Sequence, residues 1–466
     1  MIDTDVSSRL AGRRRGLARS FFGVAVAVAL LAGLVWLGFS AWQALHLGRL
    51  ADVHRRWVTC QYVRNGVNPY PITLAALEHR YGRPGNRPEL PLIYAIPHLT
   101  PAEAGDDPRI PTKALPLLAA YGPPEAVYPP PAQLLLSLTL GWLPEESIYG
   151  VWVIMNLALL AGLAWLMGRR EPGAASRTPL AVAGVVALLL AWPPTQETVF
   201  VGQFSLLVAV CVLLGFRWLD RHEYAAGALL SLALVKPSLA LPFLIVPLVR
   251  GRWRALAVVA VSQLAALGVQ SYRFGRAPWT LLHQWVETAG YFTQGGQYTL
   301  QDLVIRLHLV GTPAALALEV GFVLAAWAWC WWNRNAADAL LIDLLCFVSI
   351  LWTYHEPYDF VIVLVPLVRR LATVPDAGRP ARAVACLPAL GPLVCLALAT
   401  SRFIFNDESH VAAKVVRDVA RLVLALGFAV LVVQAWRAAR AASSQRGAAP
   451  ARARPSLALA GQGQAA

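Results

Sequence analysis

Charge is scarce in this sequence. Asp, Glu, Lys and Arg together make up 14% of its 466 residues, roughly half the share usual in soluble domains. Its apolar runs exceed what one buried core needs, which argues against a large soluble enzyme. Cysteine is equally thin. Of Cys60, Cys211, Cys330, Cys346, Cys386 and Cys395, five lie in or against apolar runs without metal-ligand spacing. Only Cys60 falls in a long polar loop, so no disulfide framework is available. A glycine-rich nucleotide loop is missing. No internal repeat is evident either, where a transporter built from inverted or parallel repeats would carry one. Acids are few beside bases, which leaves a net charge of +14, nearly all of it arginine. Such a balance suits nucleic acid, but the positive residues sit in short clusters beside apolar runs, the pattern of membrane topology signals. Nucleic acid is not an expected partner.

What the chain does have is apolar length. Hydrophobic residues make up 57%, mean hydropathy is +0.53, and runs long enough to cross a bilayer recur. The pattern predicts an all-α polytopic membrane protein with about 10–12 transmembrane helices. The arginines of residues 1–18 predict a cytoplasmic N-terminus, and residues 19–42 a first helix that is retained rather than cleaved. The long polar loop 45–131 then lies outside. Residues 132–144 are too short for a span and predict a re-entrant or interfacial helix, after which 147–167 cross inward to the basic loop GRREPGAASR. Residues 178–193 and 200–216 read as an outward and a returning span joined by the polar link PPTQETVFVGQ.

The stretch 225–254 is apolar with basic flanks on both sides. Two half-length helices meeting near Lys236-Pro237 satisfy that constraint, because proline lacks an amide donor and pushes the residue before it away from helix. The later spans are 253–271, 313–332, 338–352, 360–368, 383–400 and 420–436, with a short amphipathic surface helix inside 272–302. The domain plan is a basic cytoplasmic N-terminus (1–18), a transmembrane domain (19–437) that includes the outer loop 45–131, and a disordered cytoplasmic tail (438–466).

On that topology the outer side collects the groups able to do chemistry. They are Asp52, Tyr70, Tyr128, Gln133, Gln196, Gln203, Lys236, Asp302, His355, Glu356 and Asp359. Asp52, some ten residues after the first helix, is either a base that takes a proton from an incoming hydroxyl or a solvated loop residue. Arg55 and Arg56 beside it suit a phosphate through charge-assisted bonds, or lipid headgroups. Lys236 lies in an apolar stretch and demands a partner, either an anionic lipid phosphate or a structural carboxylate. His355 and Asp359 would share one face of a helix, fit to orient a sugar or to stabilise a leaving phosphate. A metal reading of His355, Glu356 and Asp359 has no specific spacing behind it. Aromatic faces in NPY and YPPP can stack on a sugar ring or anchor at the interface. Gly202-Gln203 reads as a helix cap beside the cavity, and Gln133 and Gln203 need partners if buried.

Five stretches occur in order: NGVNPY (65–70), VYPPPAQLLLSL (127–138), VGQFSLL (201–207), AGALLSLALVKPSLALPF (226–243) and WTYHEPYDFVIVLVP (352–366). Together they resemble the GT87 family of membrane glycosyltransferases, the polyprenyl-phosphate-mannose-dependent mannosyltransferases. The resemblance implies the GT-C fold. It also implies transfer of a sugar, mannose in this family, from a polyprenyl-phosphate donor to a hydroxyl acceptor at the extracytoplasmic face, with inversion. The family's general base is an acid in the first outer loop, and Asp52 is the matching candidate, although DVHRRW departs from the usual acid-then-aromatic pattern. Glu78, Asp106, Asp107 and Glu125 are rival bases in the same loop. The Lys-Pro pair falls on Lys236 and Pro237, and the Tyr-His/Tyr-Asp corner on Tyr354, His355, Tyr358 and Asp359.

This reading makes Asp52 and His355 catalytic. Lys236, Arg55 and Arg56 would hold the donor phosphate, and Tyr70, Tyr128, Gln203, Tyr354 and Asp359 the sugar or acceptor. No cofactor and no metal are expected. The partners are the lipid-linked donor, a glycolipid, glycan or other hydroxyl acceptor, and the lipids of a bacterial inner membrane. The competing readings are a transporter or flippase of a lipid-linked saccharide, a non-catalytic scaffold, and a related arabinofuranosyl transferase.

Overall fold

The computed structural model describes residues 3–46, 52–81, 99–168, 179–293, 313–353, 355–366 and 368. All regular elements among them are helical. In order they are α1 (Asp3–His46), α2 (Asp52–Arg64), α3 (Tyr70–Tyr81), α4 (Pro101–Gly105), α5 (Leu115–Tyr121), α6 (Pro130–Thr139), α7 (Glu145–Gly168), α8 (Pro179–Ala191), α9 (Pro193–Val201), α10 (Ser205–Trp218), α11 (Glu223–Ala233), α12 (Pro237–Ala240), α13 (Ile245–Val249), α14 (Trp253–Phe274), α15 (Pro278–Thr293), α16 (Pro313–Trp332) and α17 (Asp338–Leu351). The basic loop 169–178, the spans expected at 383–400 and 420–436, and the tail 438–466 lie outside the described residues.

Among the described residues three helices are long and apolar enough to cross a membrane: Val26–His46 of α1, α7 and α14. The pair α8 and α9 adds a fourth candidate as a broken span, bent by 54°. The protein is therefore a helical multi-pass membrane protein. Among the described residues it has fewer full-length spans than the sequence predicts. Part of the difference lies in shorter apolar helices, namely α10, the broken segment Pro237–Val249, and Ala317–Trp332 of α16.

One expectation changes. The link 193–203 is not a polar loop: most of it forms α9, whose first turn holds Pro193 and Pro194. Proline is tolerated there because first-turn amides have no partner within the helix. The expected span 338–352 is α17, in which every residue from Leu341 to Ile350 is buried. A helix enclosed on all sides belongs to the protein core and not to a lipid-facing ring.

The described parts of the loop 45–131 are folded. Its helices α2 to α5 have their own apolar core, with Trp57, Tyr62, Ile72, Ala76 and Leu118 packed against Ile148 of α7. Two hydrogen bonds tie it down: Trp57 Nε1 donates to the Leu143 carbonyl at 2.9 Å and Tyr62 Oη to the Gly122 carbonyl at 2.7 Å. The loop is thus seated on the start of a span, so residues on α2 are held relative to the bundle.

The break at Lys236-Pro237 is present. After α11 ends at Ala233, Lys236 adopts φ −124°, ψ 83° and opens the short α12. A 3-10 turn (Leu241–Leu244) and α13 follow. Where α11 crosses α14, Gly227 lets the backbones touch, and a Cβ at that position would lie 2.5 Å from the Ala255 carbonyl oxygen. One turn further on, Ser231 and Ser262 share a hydrogen bond of 2.6 Å, and Gln263 Nε2 donates to the Ser231 carbonyl at 3.1 Å. Small and hydroxyl residues at such crossings are how helices adhere in lipid, where no hydrophobic force drives them together. Gly227→Val is expected to cost about 1–3 kcal/mol by overpacking, read as a lower thermal midpoint in detergent. A Cβ at Gly268 meets nothing within 4 Å, so Gly268→Ala should not lower the midpoint, and the better helix propensity of alanine should raise it slightly.

Candidate active site

The first half of the site lies on α2. Asp52 starts that helix, and Arg55 and Arg56 follow on the same face. Arg55 reaches Asp52 at 3.3 Å and Glu125 at 3.4 Å, while Arg56 lies 3.7 Å from Asp52 and 2.6 Å from Glu125. Two carboxylates and two guanidiniums therefore cancel within one cluster. Glu125 is fixed further by its own amide, which donates to Thr59 Oγ1 at 2.9 Å. The Arg56 guanidinium lies 4.5 Å over the Tyr128 ring. Asp52 also accepts a hydrogen bond from Gln203 Nε2, and Tyr128 Oη donates to Gln203 Oε1 at 3.0 Å.

Burial pushes the Asp52 carboxyl above the usual carboxylate range. Arg56 pulls the other way, Glu125 adds to the rise, and Arg55 and the Gln203 hydrogen bond oppose it. A higher pKa makes Asp52 a better proton acceptor than an exposed aspartate.

The second half is centred on Asp359. Lys236 Nζ lies 2.5 Å from Asp359 Oδ1, His355 Nδ1 lies 2.9 Å from Asp359 Oδ2, and Ser205 Oγ donates to Asp359 Oδ1. The Lys236 ammonium also sits 4.6 Å from the centre of the Tyr358 ring. His355 and Asp359 are fully buried, and His355 Nε2 has no hydrogen-bond partner among the described residues. These two residues meet without sharing a helix: His355 precedes the 3-10 helix Pro357–Val363 that carries Asp359.

One turn joins the two halves. Gln203, which holds Asp52, and Ser205, which holds Asp359, are two residues apart between α9 and α10. Gly202 makes the turn possible. It caps α9 at φ +81°, and a Cβ there would lie 2.9 Å from Val53 Cβ and 3.2 Å from Trp152 Nε1. Both the left-handed backbone and the missing side chain are needed. Gly202→Ala is expected to displace Gln203 from Asp52. Activity should fall at least as far as in Gln203→Ala, with a stability loss of about 1–3 kcal/mol; activity assays and thermal melting of both variants check this.

The other expected site residues fall as follows. Tyr70 Oη donates to the Tyr128 carbonyl at 2.7 Å, so it braces Tyr128 and does not present its hydroxyl to a ligand. Gln133 Nε2 reaches the same carbonyl at 3.1 Å. Arg55 and Arg56 face carboxylates, and Lys236 has a carboxylate partner. Tyr354 lies outside the described residues, as does Asp302. Among the rival bases, Glu78 and Asp107 pair with Arg109 in a separate exposed cluster. The hydrogen bond from Arg109 holds Asp107 below the usual carboxylate range, which makes it a weaker proton acceptor than Asp52. Glu125 alone stands beside Asp52. Ser205 was not expected; its signal was a hydroxyl in the first turn of an otherwise apolar helix.

A cavity of about 10 Å³ lies against Arg56, Glu125, Tyr128 and Gln133, room for about one water. Gln133 Oε1 and Arg56 Nε, both buried, have no protein partner among the described residues. Among the described residues no group of three His, Cys, Asp or Glu side chains converges as a metal site.

Comparison with known proteins gives one match. The model of glycosyltransferase family 87 matches residues 126–353, a segment that contains Tyr128, Gln203, Ser205 and Lys236. Among curated proteins and solved structures, none matches.

Proposed function

Residues 126–353 belong to glycosyltransferase family 87 and the protein is a glycosyltransferase; from that premise we propose that it moves a sugar, mannose, from a polyprenyl-phosphate donor to a hydroxyl acceptor at the extracytoplasmic face of a bacterial inner membrane, with inversion. The observation that carries this reading is the short turn through Gln203 and Ser205. It couples an acid with a raised pKa to a buried Lys-Asp-His centre. Such an arrangement offers a proton acceptor on one side and fixed positive charge on the other.

In the proposed reaction Asp52 takes the proton of the acceptor hydroxyl. The acceptor oxygen forms a bond to the anomeric carbon from the face opposite the phosphate. The bond from that carbon to the phosphate oxygen breaks, and the polyprenyl phosphate leaves with the electron pair. Lys236 is the best placed cation to meet the developing phosphate charge. Its ammonium carries three donors, Asp359 and the Tyr358 ring hold it in place, and it is 12% exposed. Fixed charge of this kind acts without reorganising during the reaction. Arg56 is 5% exposed and committed to Glu125, so its proposed role is to set the pKa of Asp52. Arg55, 24% exposed, is better placed to touch the donor. His355 holds Asp359 in register for Lys236. The donor already carries an activated phosphate ester, so no nucleotide is needed.

The test is incubation of the purified protein with a labelled polyprenyl-phosphate mannose and a hydroxyl acceptor. Release of polyprenyl phosphate matched by labelled acceptor is expected. Passage of intact donor across a liposome membrane without any sugar transfer would instead favour a flippase.

A further inference from the structure

The acid cluster is not the only charged feature of the folded loop. At the far end of α2, twelve residues beyond Asp52 and therefore ~18 Å along the helix axis, a second cavity of about 270 Å³ opens. Arg64 from the last turn of α2 and Arg273 from the last turn of α14 both line it. Among the described residues neither guanidinium has a carboxylate within salt-bridge distance, in contrast to Arg55 and Arg56. The other polar walls are Gln61, Asn65 and Ser137.

The positions of the two arginines are built in. Arg64 donates to the Gly141 carbonyl, lies 3.4 Å from Gln61 Oε1 and stacks 4.2 Å over the Trp142 ring. Gly141 makes room for it, since a Cβ at 141 would lie 2.8 Å from Arg64 Cδ. Arg273 donates to the Arg64 carbonyl at 2.9 Å. Two cations held beside one cavity by neutral partners repel each other unless an anion fills it. The arginine fork suits phosphate oxygens. The rim is apolar and open, with Leu138 58% and Trp142 68% exposed, and α14 is one of the spanning helices. Charge above an exposed apolar rim, at the end of a span, is the surrounding of a phosphate headgroup.

We infer that the cavity between Arg64 and Arg273 is a phosphate-binding site for an anionic headgroup, separate from the site around Asp52 and Lys236. Its charge comes from two arginines that have no carboxylate partner among the described residues, and its apolar contact from Leu138 and Trp142.

The experiment measures phosphatidylglycerol binding to the purified full chain in micelles by native mass spectrometry, beside phosphatidylcholine and with inorganic phosphate as competitor. Wild type should prefer phosphatidylglycerol. Arg273→Gln should weaken that binding about tenfold, the loss of charge-assisted contacts, and Arg273→Lys should restore part of it. Arg64→Gln/Arg273→Gln should abolish the preference. The single Arg273 variants keep the measurement decisive if the Arg64 change perturbs folding, because Arg64 also braces the Gly141 turn. Displacement by inorganic phosphate would assign the pocket to the phosphate alone, and resistance to it to a headgroup with its chains; either supports the site. Equal phosphatidylglycerol binding by wild type and Arg273→Gln, or equal binding of phosphatidylcholine by wild type, overturns it.

Discussion

Asp52→Asn is expected to lower turnover in sugar transfer by about 10²–10⁴-fold, the range for losing a general base, with donor binding retained. The substitution is mild for the fold. Asparagine keeps an oxygen to accept from Gln203, and Arg55 and Arg56 keep Glu125 as partner. Glu125→Gln is the informative companion, because among the described residues Glu125 is the rival base that stands beside Asp52. It should leave most of the turnover and move the pH profile. The sign follows from the neighbours. The base must be ionised, so the rate falls as pH drops through the Asp52 pKa. Burial lifts that pKa above the ordinary carboxylate range, and the Glu125 charge lifts it further. The acid limb in the wild type should therefore lie at higher pH than for an exposed aspartate. In Glu125→Gln it should move to lower pH. Full activity in Asp52→Asn with none in Glu125→Gln would transfer the base to Glu125.

Lys236→Met should be the most damaging change on the other side of the turn. It removes the cation proposed to face the leaving phosphate, worth about 10²–10³ in rate for a preorganised electrostatic group. It also leaves Asp359 buried without its lysine partner, a loss of about 3–5 kcal/mol for a broken buried pair. These two effects separate in Lys236→Met/Asp359→Asn. Neutralising both partners should return most of the stability, since the buried charge is gone, while the asparagine still accepts from His355. Turnover should stay low. If the double variant regains both its melting temperature and its rate, the pair is only structural and the phosphate has another partner.

The residues differ in how far the sequence reveals them. The break at Lys236-Pro237 was legible because proline restricts its own backbone and that of its predecessor, a local effect. A partner for Lys236 was equally predictable, since an ammonium in apolar surroundings needs one. Its identity was not: Asp359 lies 123 residues away, and no local rule connects them. Gly202 could be read as a helix cap. That the cap aims Gln203 at Asp52 depends on Val53 and Trp152 packing against it. Arg55 and Arg56 show the limit most clearly. Beside a membrane they look like phosphate or headgroup ligands, yet both also pair with Glu125, which the turns after α5 bring back to α2. Among the described residues fewer full-length spans appear than hydropathy suggests, because hydropathy registers burial in protein and burial in lipid alike. Helix α17 is as apolar as a span and is enclosed by protein.

By itself the sequence determined the helical class, the membrane character, the broken helix and the residue types available for chemistry. Each of these follows from composition or from neighbours along the chain, where the physical cause is local. Only the tertiary structure decided which charges cancel and which stay exposed to a ligand. Asp52 with Gln203, Lys236 with Asp359, and the pairing of Arg64 with Arg273 beside one cavity are all set by contacts between segments far apart in sequence. Electrostatic roles depend on separations of a few ångströms and on burial, and those distances exist only once the chain has packed.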